Sequence, residues 1–235
     1  MNNIIQNNKI RFIQSLRDVV FGLEDGMVST LGAITGIAIG SQSRFSVVLA
    51  GLVIISVESI SMGIGSYVSN KSERDYDIRK LREQKLDIRN QPEIEKKDLL
   101  ATYKKDGWPD QVALQMADAV MQNKRLMLVE KAYHELHVLP QQNSSPKING
   151  IYMFFSYIIG GFVPLLSYLL LPVKLAMPFS IAFTLGGLFL LGIFTTVYTK
   201  QPIFKSGIRI FLIGSVALLA GIAMGQFARS LGIDG

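Results

Sequence analysis

The 235-residue sequence contains no cysteine, which excludes a disulfide framework, a cysteine-ligated zinc site and an iron–sulfur cluster. It has only two histidines, His134 and His137, and lacks the Glu-x-x-His pairs of a di-iron bundle. No HExxH, Walker P-loop, GxGxxG or Gly-x-Ser-x-Gly elbow is present, so no enzyme constellation competes. There is no internal repeat, so a protomer of this kind finds symmetry only by dimerising. Charge is also scarce. Asp, Glu, Lys and Arg make up 18% of the chain against 49% hydrophobic residues, too apolar a balance for an ordinary soluble domain.

The scarcity is concentrated. Five windows, 19–40, 45–68, 148–171, 175–199 and 206–228, are nearly free of charge. A helix rising about 1.5 Å per residue needs about 20 residues to cross a 30 Å hydrocarbon core, and each window is long enough. The pattern predicts an all-α integral membrane protein with five transmembrane helices. The first eighteen residues are largely polar and carry no cleavable signal, so the first span is expected to be retained.

Lys and Arg are placed asymmetrically. Of 24, only Arg44, Lys174 and Arg229 fall on one side; the N-terminal tail, the 69–147 segment and the 200–209 loop hold the rest. By the positive-inside rule, the N-terminus and the 69–147 segment are expected in the cytosol and the C-terminus outside. The net charge of +6 is then topological, and no basic stripe with interleaved aromatics points to nucleic acid.

The expected organisation is a tail and two spans over 1–68, a cytosolic helical insert over 69–147, and three spans over 148–235. The insert carries fifteen Lys/Arg and thirteen Asp/Glu. Its apolar residues recur at helical spacing, with Ile78, Leu81 and Ile88 in one stripe and Val112, Met116, Ala119, Val120, Leu126 and Met127 in another. This predicts helices at about 70–90, 93–105 and 110–137, broken at "NQPE" and "DGWPD", where proline stops one helix and opens the next. No Gly or Pro lies between Tyr67 and Leu86, so the first of them should continue the second span. Glycines four apart (Gly22 and Gly26; Gly32, Gly36 and Gly40; Gly221 and Gly225) mark close helix packing, either within the chain or between subunits.

Carboxylates in hydrocarbon are costly and mark a pathway, a partner or a cation. Glu24 and Asp25 in the first span and Glu58 in the second are such residues. Asp25 lies roughly 10 Å inside the first span. Met62 falls at a similar depth in the second, with Glu58 one turn deeper on the same face. A carboxylate beside a thioether suits a borderline divalent metal such as Fe²⁺ better than Ca²⁺ or Mg²⁺. In the insert, Gln84 and Asp87, Glu95 and Asp98, Met127 and Glu130, and Glu130 and His134 are spaced to put two donors on one helical face.

Three stretches, "LRDVVFGLEDGMVSTLGAITGIA", "ESISMGIGSYVSNKSERDY" and "SYIIGGFVPLLSYLLLP", resemble the vacuolar iron transporter family along nearly the whole chain. The resemblance implies a homodimer that exports Fe²⁺, and often Mn²⁺, from the cytosol in exchange for protons, with no prosthetic group. Asp25 and Met62 would line its pathway, and the insert would be a metal-binding domain. The family's insert ligands fall on Gln84, Asp87, Glu95 and Asp98, and on the third helix on Glu135, with Met127, Glu130 and His134 as alternatives. The chain departs from the pattern at Gln84, which has lost a charge, at Asp87 and Asp98, which are shortened, and at Ser66, where the family often has glutamate. With no targeting extension visible, a bacterial-type cytoplasmic membrane is expected, and a vacuolar membrane, the family's other home, is the alternative. The competing expectation is a membrane-anchored iron sensor or store through which nothing crosses.

Overall fold

Long apolar runs fold as long helices, since a helix satisfies backbone groups internally where no water can. A computed structural model describes residues 2–134 and 145–231, with side chains from residue 15 onward. Among these residues the structure is all-helical: α1 (Asn2–Ser41), α2 (Arg44–Asn90), α3 (Pro92–Lys105), α4 (Asp110–Met121), α5 (Lys124–His134), α6 (Pro146–Leu170), α7 (Val173–Thr199) and α8 (Ile203–Ser230). α2 runs unbroken for 47 residues, as the lack of Gly and Pro after Tyr67 predicts. Four helices, α2, α6, α7 and α8, are long and apolar enough to cross a membrane.

The chain divides into two units: Met1–Ile10 with Ser69–Ser144, and Arg11–Val68 with Ser145–Gly235. In the second unit, small residues set the helix crossings. A methyl group at Gly36 would come within 2.7 Å of the Gly221 carbonyl oxygen, and one at Gly32 within 2.9 Å of that of Ala217. One at Gly22 would meet the Met153 carbonyl at 2.9 Å. The four-residue glycine spacing therefore packs α1 against α8 and α6 within one chain. At the start of α2, Arg44 Nε donates to the Tyr168 carbonyl at 2.8 Å, and its Nη2 donates to that of Leu169. A cation placed there caps the C-terminus of α6 and complements its dipole.

In the first unit, Ile88, Leu99, Tyr103, Ala113, Ala117, Val120 and Met127 form the core. Two expectations are corrected here. The helix expected over 110–137 is two helices, because the Asn123 Oδ1 accepts from the backbone N–H of Arg125 at 3.0 Å and of Leu126 at 3.2 Å, starting α5 afresh. The inner face of α4 is Ala113, Ala117 and Val120, while Val112, Leu126 and Ile78 are exposed. The "NQPE" and "DGWPD" breaks fall where expected: Pro92 opens α3 in its first turn, and Gly107, at φ 96°, carries the turn into α4.

Candidate functional site

In the membrane-helix unit, the acids of α1 and α2 converge. Asp25 is half-buried midway along α1, and Glu58 lies on the exposed face of α2, within electrostatic reach of Asp25. Met62, one turn on from Glu58, is half-buried. The wall behind Asp25 is fixed by hydroxyls. Ser29 Oγ donates to the Asp25 carbonyl at 2.6 Å and shares a 2.6 Å hydrogen bond with the Tyr157 hydroxyl of α6. Tyr157 is fully buried and feels the charge of both Asp25 and Glu58. Glu24, Asp25's neighbour, lies within the field of Arg209 on α8 as well as that of Asp25. Of the two adjacent acids, Glu24 has a cationic neighbour in Arg209, while Asp25 lies within reach of a second helix's carboxylate, Glu58.

A further acid escaped the sequence reading. Asp18 is only 3% exposed. Ser66 of α2 hydrogen-bonds its carboxylate, and its Oδ2 is buried with no hydrogen-bond partner. It lies seven residues before Asp25, hence on the same side of α1. That spacing was the available signal, masked by the position of Asp18 at the polar edge of the apolar window.

In the insert unit, the expected donors separate. Gln84 and Glu95 are buried and bonded to each other, with the Gln84 amide donating to Glu95 Oε2. Lys131 of α5, 1% exposed, donates to the same oxygen and lies 4.0 Å from Asp98 Oδ2. Asp87 is exposed and Met127 is buried in the apolar core. Glu130 accepts from the Tyr103 hydroxyl at 2.9 Å and lies 3.5 Å from His134 Nε2. The other ring nitrogen of His134 is 2.8 Å from Asp106. Burial and the neighbouring Glu130 carboxylate push the Tyr103 hydroxyl well above its ordinary pKa. Glu135 and His137 lie outside the described residues. Among the described residues, no group of three or more His, Asp and Glu is arranged to hold a metal ion. Lys131 and Asp106 were also missed. Lys131 was detectable as a lysine one turn after the buried Met127, on the inner face of α5.

Long apolar helices, small-residue crossings and acids on its first two helices define an all-α, multi-pass integral membrane protein. The VIT family profile matches residues 16–226, and the chain belongs to that family. It is 26% identical over 233 residues to "Vacuolar iron transporter 1" of Tulipa gesneriana, covering 97% of this chain and 94% of the relative. It is 26% identical over 215 residues to "Vacuolar iron transporter 1" of Arabidopsis thaliana, covering 91% and 86%. The "Vacuolar iron transporter" of Plasmodium falciparum is 24% identical over 226 residues, covering 92% and 83%.

Proposed function

We propose that this protein carries a divalent transition metal, Fe²⁺ foremost and Mn²⁺ with it, out of the cytosol across a membrane in exchange for protons. The observation that carries this reading is the Asp25–Glu58 pair: two carboxylates within each other's field, in a unit made of membrane-type helices. Acids on membrane-type helices mark a pathway, a partner or a cation, and two of them supply donors for an ion and a place for a proton. The relatives' names supply iron as the cargo. Asp25 and the Met62 thioether bind the ion, and Asp25 or Glu58 takes up a proton as it leaves. Glu24, held in the field of Arg209, shapes the entrance.

In this reading α1 is the fifth span, and its two central acids are what lower its apolar character. The exposed face of α2, where Glu58 stands among Val57, Ile60 and Ile64, is covered by a second copy of the chain, so that the pathway is shared by a homodimer. The N-terminus and insert face the cytosol, as the Lys and Arg distribution indicates, in a cytoplasmic membrane of bacterial type.

The test is Fe²⁺ uptake into proteoliposomes with a trapped pH dye, for the wild type and Asp25→Ala in parallel. Metal entry with opposing proton movement in the wild type alone supports antiport through Asp25. Equal flux in Asp25→Ala sinks the assignment, and binding without accumulation in either favours a sensor or store.

A further inference from the structure

The insert unit encloses a polar cluster within its apolar core. Gln84 from α2, Glu95 from α3 and Lys131 from α5 are each at most 8% exposed, and they meet at one atom, Glu95 Oε2. Lys131 Nζ also lies 3.5 Å from the Glu95 backbone oxygen and 4.0 Å from Asp98 Oδ2. Every acceptor that Glu95 and Asp98 turn toward this point is thus directed at one ammonium group. Gln84 presents its amide N–H to the carboxylate, so its oxygen is not the atom it contributes here.

A divalent metal needs the opposite arrangement. Oxygen, nitrogen or sulfur lone pairs must converge on a common point, with no positive charge among them. Here the point of convergence already holds a full positive charge, fixed by the covalent stem of Lys131. Lys131 is buried on α5 together with Met127 and Ala132. A buried carboxylate needs a cation or hydrogen-bond donors, and Glu95 Oε2 receives the Lys131 ammonium and the Gln84 amide from within the chain.

We propose that Lys131 is the resident cation of this cluster: the insert gathers α2, α3 and α5 around a tethered ammonium, and it takes up no transition metal at Gln84, Glu95 and Asp98. This concerns the insert alone and stands whether or not the membrane unit transports. It also has a constructive corollary. Exchanging the ammonium for a carboxylate removes the competing charge and adds a third acid, which converts the cluster into a divalent-metal site.

The test counts Mn²⁺ ions bound per full-length chain in detergent micelles, by titration calorimetry, for wild type, Glu95→Gln, Lys131→Glu and the double variant. Wild type and Glu95→Gln are expected to bind the same number of ions. Lys131→Glu is expected to bind one more ion per chain, and the double variant to lose it again. A wild-type site lost in Glu95→Gln overturns the proposal, as does a folded Lys131→Glu chain that gains no ion. If Lys131→Glu does not fold, the comparison of wild type with Glu95→Gln still decides, because it asks directly whether Glu95 is a metal ligand. Counting ions rather than flux keeps this result separate from the fate of the antiport reading.

Discussion

Lys131 and Glu95, 36 residues apart in sequence, form an ion pair with side chains only 2% and 11% exposed. A pair so placed contributes little net stability, because desolvation offsets the attraction, but breaking it strands a buried charge. Lys131→Met should therefore destabilise the insert by about 3–5 kcal/mol, with Glu95 left uncompensated. Adding Glu95→Met should restore only part of that loss, since two apolar side chains need no partner but the buried Gln84 amide loses its acceptor. Hydrogen exchange of α3 and α5 in the full-length protein reads both effects. A single variant as stable as wild type would show that water reaches the pair.

The start of α5 rests on one side chain. Asn123 accepts two backbone N–H groups that the first turn otherwise leaves orphaned. Asn123→Ala should cost about 1 kcal/mol, whereas Asn123→Asp or Asn123→Ser should keep most of the stability. Thermal unfolding of the three variants side by side checks the ranking. Equal loss in all three would mean that the turn, rather than the cap, holds this junction.

The all-helical class, the α2, α6, α7 and α8 runs and the proline breaks around α3 were legible because each is a local property of spacing and composition. Asp25 and Glu58 stood out for the same reason, as charges inside apolar windows. What stayed hidden was pairing between distant helices. Asp18 reads as an ordinary polar residue at a helix edge until Ser66 of α2 is seen bonded to it. The contact of Glu95 with Lys131 was hidden in the same way, because the two stand on different helices 36 residues apart. The break at Asn123 was visible only as an interruption in an apolar stripe, because the sequence does not tell whether an asparagine faces solvent or caps a helix.

The α1–α8 crossing has no room for side chains. A methyl group at Gly221 would overlap the Gly32 carbonyl oxygen, a backbone atom that cannot swing aside. Gly221→Leu should separate the helices and leave little folded protein, beyond the roughly 1–3 kcal/mol usual for an overpacked core. Gly186→Ala is the matched control, because nothing lies within 4 Å of a methyl group there. Size-exclusion profiles in detergent after stepwise heating separate the two. A Gly221→Leu chain that matches Gly186→Ala would mean that α8 can shift away from α1 at no cost.

Tyr103 gives the insert an alkaline limit. Its buried hydroxyl donates to Glu130 at 2.9 Å, and both the burial and that carboxylate oppose ionisation. In the unfolded chain the same phenol ionises near pH 10, at about its ordinary value. Below that pH the two states carry the same proton, and the stability from Tyr103 is fully present. Above it the unfolded state releases a proton that the folded state keeps, so stability falls as pH rises, by up to about 1.4 kcal/mol per pH unit from this group. Tyr103→Phe should lose about 0.5–1.5 kcal/mol at neutral pH with the hydrogen bond, and should show a shallower decline above pH ~10. Hydrogen exchange of α3 between neutral pH and the alkaline range, in both proteins, measures the two slopes. Parallel slopes would mean that Tyr103 ionises in the folded insert as readily as in the open chain, and that the Glu130 contact is not maintained in solution.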